Sequence, residues 1–425
     1  MSLAPKKVLL VGPVLSNSGY GEHARCILRS LIANITKFDI YIQPTMWGQT
    51  STSTANTPEN RFILDCISRT QGYKGKYDIS LQVALPNEWK TLADKNIGFT
   101  AAVEPDRCNP QWIQHCNQMD EVVVVSDHAG KSITNFKYPL QDQAGNTVGI
   151  LSLEKPYTVI GYPVKSYTDS SFASQLDLPE QCFLSVVQAA PRKDYVTLIK
   201  TFIEEFKDEE VGLLLKMNLI KDSIPDRYNL TRHLKGVLNS IDPGKERKCK
   251  VILLHGRLEE SDLHSLYLDP RIKAYVTTTH GEGYGLPIFE AAYSGLPVVA
   301  PNWSGYLDFL RAPYTNKKSG KTKWKSLFLK TKCSVNKVEP DAHMKDIIFP
   351  ESQWAYVDQD HFKKNLRSVL RSNKLYRDEA ESLKDYLHEA YSSGKINDQI
   401  MNIIDGLNTD SLVTAESSEP SVFMA

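Results

Sequence analysis

The stretch that decides the fold is His280–Asp308, HGEGYGLPIFEAAYSGLPVVAPNWSGYLD. The apolar run before it, Ile272–Thr278, predicts a buried strand. Pro287 suits the first turn of a helix, because its missing N–H would have no partner there. Between strand and helix, three glycines let the backbone approach a ligand closely: Gly281, Gly283 and Gly285. Free N–H groups and the helix dipole make such a turn an anion site, for which a diphosphate is a natural guest.

Two carboxylates and a basic pair accompany this turn. Glu290 lies one helical turn beyond Pro287, where it could accept two hydrogen bonds from a vicinal diol such as that of a ribose. Glu282 lies in the loop, where it could meet a sugar. Carboxylates repel a diphosphate, so separate cations are needed. Arg192 and Lys193, which follow a predicted strand, could neutralise a leaving diphosphate.

Short apolar strands alternate with helical patterns over most of the chain, which predicts parallel sheets covered on both faces. The pattern restarts after a polar stretch at 168–181. We therefore expect the α/β class, with two doubly wound Rossmann-like domains that face a central cleft. The predicted units are an acceptor-binding domain at 1–167, a donor-binding domain at 168–375, helices at 376–407 that return to the first domain, and a disordered tail at 408–425.

The amino-terminal half supplies further candidate residues. Gly19 and Gly21, in a loop that would face the cleft, let the backbone approach donor phosphates or the acceptor. Glu104 is predicted at the end of a strand, Asn96–Glu104, as an acceptor contact or a surface acid. His280 could touch the sugar, although a lone histidine is more often packed in the core.

Net charge, cysteine usage and hydropathy limit the possible partners and location of the protein. Lys plus Arg (50) balances Asp plus Glu (50), so no global charge favours nucleic acid or membrane. Seven scattered cysteines without metal-ligand spacing favour a reducing compartment. The sequence has no apolar run long enough to span a membrane and no signal peptide at its start, so a cytoplasmic location is expected. Residues 317–332 contain seven lysines, which predicts a solvated loop or a contact with a polyanion.

The pattern Glu282, seven residues, then Glu290, within GEGYGLPIFEAAYSGLPVV, resembles the signature of the retaining glycosyltransferases of family 4, which have the GT-B fold. The segment FLSVVQAAPRKDYVTLIKTFIEEF, which contains Arg192 and Lys193, is similar to the family's phosphate-binding segment. VILLHGRLEESDLHSLYLD, with Arg257, resembles the segment whose loop packs on the donor base. The resemblance covers most of residues 7–310.

The resemblance implies roles for these residues. Glu282, Arg192 and Lys193 would be catalytic, and Glu290 would bind the donor ribose. The other donor contacts that the resemblance implies are Gly283, Tyr284, Gly285, Leu286 and Arg257. His280, Gly19 and Gly21 are added as predicted donor contacts because of their positions. Gln188 stands where many members have an arginine, so we expect Arg192 to supply the second charge. The implied activity is a retaining transfer from a nucleotide sugar to a hydroxyl group, with no cofactor and no metal. The expected acceptor is a carbohydrate, with a modified DNA base as an alternative.

Three other functions fit parts of the sequence. Gly19, Gly21 and Ala24 match a dinucleotide-binding fingerprint, but the strand that should end in an acid ends in Gln43–Pro44, which argues against a dehydrogenase. A non-catalytic binder of nucleotide sugars would keep the same fold. An epimerase would also keep it, while a phosphorylase would need a cofactor lysine motif that the sequence lacks. The sequence does not define the donor base, the donor sugar or the oligomeric state.

Overall fold

The structure, a computed structural model, describes residues 4–142, 144–244, 246–315 and 320–406. The predicted disordered tail lies outside the described residues. Among the helices described there, none is long and apolar enough to cross a lipid bilayer.

The amino-terminal half is built on a six-stranded parallel sheet in the order β2-β1-β3-β4-β5-β8. Its strands, with an antiparallel hairpin of β6 and β7, are β1 (Lys6–Gly12), β2 (Phe38–Pro44), β3 (Tyr77–Val83), β4 (Ala93–Thr100), β5 (Glu121–Val124), β6 (Tyr138–Gln141), β7 (Thr147–Leu151) and β8 (Tyr157–Val159). The helices of this half are α1 (Gly19–Ala33), α2 (Pro58–Gly72), α3 (Pro110–Gln118) and α4 (Asp127–Thr134).

The carboxy-terminal half repeats this plan with the strand order β11-β10-β9-β12-β13-β16. Its strands are β9 (Cys182–Gln188), β10 (Gly212–Asn218), β11 (Lys250–Leu254), β12 (Ile272–Val276), β13 (Val298–Pro301), β14 (Arg311–Thr315), β15 (Thr322–Ser326), β16 (Leu329–Thr331), β17 (Cys333–Lys337) and β18 (Gln353–Val357). The helices are α5 (Tyr195–Phe206), α6 (Ile224–Ile241), α7 (Glu260–Leu268), α8 (Leu286–Tyr293), α9 (Gln359–Arg371), α10 (Asn373–Ala390) and α11 (Ser393–Asp405). The predicted fold class is confirmed.

The central strands are buried on both faces, as continuous apolar runs in parallel sheets require. Side-chain oxygens cap several helices and thereby fix where they begin. The capping residues are Ser18, Thr57, Asn109, Ser126, Ser223, Asp358 and Ser392. All seven cysteines are unpaired, and Cys333 alone among them is not fully buried.

The chain passes between the two halves twice. It crosses first in the segment after β8 and returns after α10, so that α11 packs its apolar face on α1 and the first sheet. The two crossings lie side by side, since Val164 N–H donates to Tyr391 O at 2.8 Å. The boundaries proposed from the sequence for the two domains stay a prediction.

Several elements differ from the sequence-based expectations. Helix α2 was not expected because only three of its residues are buried, which leaves a weak apolar periodicity. Within 317–332, the described residues form strands β15 and β16 rather than a loop. Strand β4 ends at Thr100, so Glu104 lies in the loop beyond it and not at the strand end.

Candidate active site

The loop between β12 and α8 forms the floor of the site. Gly285 has a φ of +93°, in the left-handed region that glycine tolerates best, and this turn leads into α8. Within the described part of the chain, four consecutive backbone N–H groups here donate to no acceptor. They belong to Gly283, Tyr284, Gly285 and Leu286. Together with the positive end of the α8 dipole they form a site for an anion.

Two serine hydroxyls fix this loop. Ser304 Oγ accepts from Glu282 N–H and donates to Glu282 O, both at 2.6 Å. From the other half of the molecule, Ser126 Oγ donates to Gly283 O at 2.5 Å. The motif does not predict either serine. The signal that could have pointed to Ser304 is its position before Gly305, inside the stretch that decides the fold.

Glu282 lies at the centre of a cluster of ionised groups. Arg192 Nη1 donates to Glu282 Oε2 at 2.9 Å, and Lys193 Nζ donates to Glu282 Oε1. Thr279 Oγ1 donates to the same Oε1 at 3.2 Å. Arg192 Nη2 also lies 3.2 Å from Glu104 Oε1, which belongs to the amino-terminal half. The structure therefore brings the three residues predicted to be catalytic into direct contact, with the predicted acceptor residue beside them.

Opposite charges in this cluster stabilise each other, whereas the two cations oppose each other. Burial alone would raise the pKa of Glu282, but Arg192 and Lys193 outweigh it and lower that pKa to about 2. Burial alone would lower the pKa of Arg192, but Glu104 and Glu282 outweigh it and raise that pKa. Burial and the neighbouring Arg192 lower the pKa of Lys193. The cluster thus presents two cations to the cleft and holds two carboxylates against them.

Glu290 lies on α8, apart from this cluster. Tyr267 OH donates to Glu290 Oε2 at 2.9 Å. Burial raises the pKa of Glu290 to about 7, although Lys165 and Tyr267 act in the opposite direction. Lys165 itself bridges the two halves, with Nζ at 2.9 Å from Glu22 and 2.8 Å from Glu260. Tyr267 and Lys165 carry no motif of their own, so the sequence does not identify them.

The amino-terminal end of α1 faces the same loop. A Cβ on Gly19 would lie 3.8 Å from Leu286 Cδ1, which places the two loops in contact across the cleft. The N–H groups of Gly19 and Tyr20 have no acceptor among residues that the structure describes. A Cβ on Gly21 would lie 2.0 Å from Ser16 O, so glycine is required there by the turn itself. Gly21 therefore allows the close turn before α1, where a side chain would collide with Ser16.

The two remaining predicted donor residues differ in their surroundings. Arg257 is exposed after β11 and makes no hydrogen bond or ion pair within the described ranges. His280 is buried: its ring stacks on Trp354 at 4.7 Å between centroids, and Nδ1 lies 2.6 Å from Ala355 O. His280 Nε2 lies 4.0 Å from Asp194 Oδ2. A donor contact by either residue stays a prediction.

Comparison with known proteins agrees with this geometry. Residues 270–398 match the model of a family described as "Family 4 Glycosyltransferase in conflict systems". The comparison with curated proteins gives no match.

Solved structures with the same fold are numerous. Sucrose-phosphate synthase from Thermosynechococcus elongatus has a TM-score of 0.61 at 13% identity, over 95% of this chain and 99% of that one. Anabaena HepE, solved in complex with UDP and glucose, has a TM-score of 0.57 at 13% identity, over 95% and 100%. A trehalose-6-phosphate protein from E. coli, bound to UDP-2-fluoro glucose, has a TM-score of 0.52 at 13% identity, over 94% and 98%.

These likenesses establish the architecture, while the family match is limited to residues 270–398, a segment that contains Glu282 and Glu290. The solved structures confirm the predicted GT-B fold, and over residues 270–398 the chain is similar to family 4 glycosyltransferases.

Proposed function

We propose that this chain transfers a sugar from a nucleoside diphosphate sugar to a hydroxyl group, with retention of configuration. The observation that carries the proposal is the convergence of Arg192, Lys193 and the four free amides of the 283–286 loop. These groups would bind the donor diphosphate, and Glu290 would accept hydrogen bonds from the ribose diol. Anabaena HepE binds UDP and the E. coli protein binds a UDP sugar, which makes UDP the first donor nucleotide to test.

In the proposed reaction, the bond between the sugar C1 and the diphosphate oxygen breaks while a bond from C1 to the acceptor oxygen forms on the same face. The acceptor proton passes to the departing diphosphate oxygen. The negative charge that grows on the diphosphate is stabilised by Lys193, Arg192 and the loop amides. Glu282, kept ionised by the same cations, orients them and meets the sugar. The protein acts chiefly by orientation and charge stabilisation.

We propose a carbohydrate hydroxyl as the acceptor, bound beside Glu104. The alternative of a DNA base depends on the lysines of 317–332. In the described part of that stretch, Lys325 pairs at 2.8 Å with Glu379 of α10, which offsets its charge. This pairing weakens the case for a polyanion, so the carbohydrate is favoured. The proposed location is the cytoplasm.

The test of the proposed function is a thermal-shift panel with UDP, GDP, ADP and dTDP, and with NAD and NADP for comparison, followed by hydrolysis of the matching nucleotide sugars. A ligand that binds the native state raises the melting temperature. We expect one diphosphate to do so, and its nucleotide sugar to be hydrolysed. A shift with NAD or NADP and with none of the diphosphates would replace the proposal with a dehydrogenase.

Glu290→Ala is expected to weaken donor binding by about 10- to 100-fold, because hydrogen bonds to a charged group contribute about 1.5–3 kcal/mol. The dissociation constant of the nucleotide sugar measures the effect.

Since the pKa of Glu290 is about 7, its carboxylate is largely protonated at about pH 6 and ionised at about pH 8. Donor affinity in the wild-type protein is therefore expected to increase with pH over this range. Glu290→Gln should abolish that pH dependence; a dependence that survives would contradict the assigned role.

Transfer is also expected to continue in EDTA, because the proposed charge stabilisation comes from side chains and amides. The residues described in the structure contain no group of three or more His, Cys, Asp or Glu arranged to hold a metal ion. The initial rate with and without the chelator is the measurement. A rate that EDTA abolishes and added Mg²⁺ or Mn²⁺ restores would reject the metal-free mechanism.

A further inference from the structure

The backbone of Glu104 is fixed by its neighbours, whereas its side chain has few contacts. Its backbone is fixed, because Glu104 O lies 2.9 Å from His128 Nε2 and packs against Gly281. Its carboxylate, in contrast, has one partner among the described residues, Arg192 Nη2 at 3.2 Å. The side chain is 27% exposed. It can therefore rotate away from Arg192 without any movement of the main chain.

Glu282 is held much more firmly than Glu104. Arg192, Lys193 and Thr279 all donate to its carboxylate, and its side chain is only 12% exposed. Of the two carboxylates that face Arg192, Glu104 is thus the one that can leave at lower cost.

The charge of the site changes when a donor arrives. Two cations, Arg192 and Lys193, face two carboxylates, so the cluster is neutral as it stands. A diphosphate brings further negative charge and competes with the carboxylates for Arg192. Like charges at close range oppose the ionised form of both groups. The repulsion between the diphosphate and the carboxylates is reduced if Glu104 leaves Arg192 as the diphosphate binds.

We propose that Glu104 exchanges partners during the reaction: it holds Arg192 in the empty site, and the donor diphosphate displaces it so that its carboxylate accepts a hydrogen bond from the incoming hydroxyl group. This inference rests on the proposed function. Donor binding then completes the acceptor site. Glu104 orients the hydroxyl, whose proton still passes to the departing diphosphate oxygen.

The test compares the wild-type protein with Glu104→Gln. Loss of the ion pair frees Arg192, so the dissociation constant of UDP, or of whichever diphosphate binds in the panel, should fall by about 2- to 5-fold, as the energy of a partly exposed ion pair allows. With water as the hydroxyl acceptor, the turnover number for hydrolysis of the nucleotide sugar should fall by about 10-fold, because the group that orients the hydroxyl is lost. A misfolded variant cannot give tighter binding with slower turnover.

The matched control is Glu154→Gln in the same half of the molecule. Glu154 lies between β7 and β8, is exposed and makes no ion pair within the described residues, so neither constant should change. Unchanged or weaker diphosphate binding in Glu104→Gln overturns the exchange. Tighter binding with unchanged hydrolysis overturns the contact with the hydroxyl. If the wild-type protein binds none of the diphosphates, the proposed function itself has failed, which is a separate result.

Discussion

Replacing Lys193 with alanine is expected to lower the turnover number for sugar transfer by about 100-fold or more, since removal of one group that stabilises developing charge typically costs about 10²–10³ in rate. Lys193 contacts Glu282 at the centre of the cluster, where little solvent reaches it. Charge grows on the diphosphate as the bond to the sugar breaks, so the loss should fall on the turnover number more than on the acceptor KM.

Lys200→Ala is the matched control for this variant. Lys200 lies on α5, seven residues further along, and pairs weakly with Glu204 at 3.9 Å on the surface. It should leave both constants unchanged. If Lys193→Ala raised only the acceptor KM and kept the turnover number, Lys193 would be an acceptor-binding residue and the proposed stabilisation of the leaving group would be wrong.

Gly281→Ala should also lower the rate of transfer. A Cβ at this position would lie 2.7 Å from Glu104 O and 2.9 Å from Trp303 Cζ3. The first contact is with backbone of the opposite half, so the methyl group would hold the cleft open. We expect at least about a 10-fold loss of kcat/KM, because small displacements of reacting groups are costly in rate. Overpacking costs about 1–3 kcal/mol, which in a protein of this size should lower the melting temperature by only a few degrees.

Gly236→Ala provides the comparison. Gly236 lies within α6 with nothing within 4 Å of the position that a Cβ would take, so alanine should stabilise the helix slightly and leave transfer intact. Both variants add one methyl group, which meets packed atoms at position 281 and open space at position 236. Equal activity of Gly281→Ala and the wild-type protein would mean that the two halves do not need to approach as closely as the structure indicates.

The sequence predicts the donor side of the site well because its determinants are local. The glycines, Pro287, Glu282 and Glu290 lie within ten residues, and their spacing alone places them on one turn and one helix. Arg192 and Lys193 could be added because they follow a buried strand, and strands of a parallel sheet end at the same edge.

The rest of the site depends on residues far apart in the sequence. Ser126 is 157 positions from the carbonyl group that it holds. Lys165 and Tyr267 have no spacing relation to Glu290, and their types are common in any fold. Hairpins such as β14–β15 are mostly exposed, which leaves no clear apolar alternation to detect. Such features depend on how two sheets meet, which local patterns do not encode.

The paired crossings of the chain restrict how the molecule can move. Because the segment after β8 and the segment before α11 run side by side and are joined at Val164 and Tyr391, they would act together as one hinge. One connecting segment would permit twisting and sliding of the two halves, whereas two adjacent segments favour rotation about one axis. The cleft would then open and close along one path, and Arg192 would contact Glu104 again each time the cleft closes without a donor.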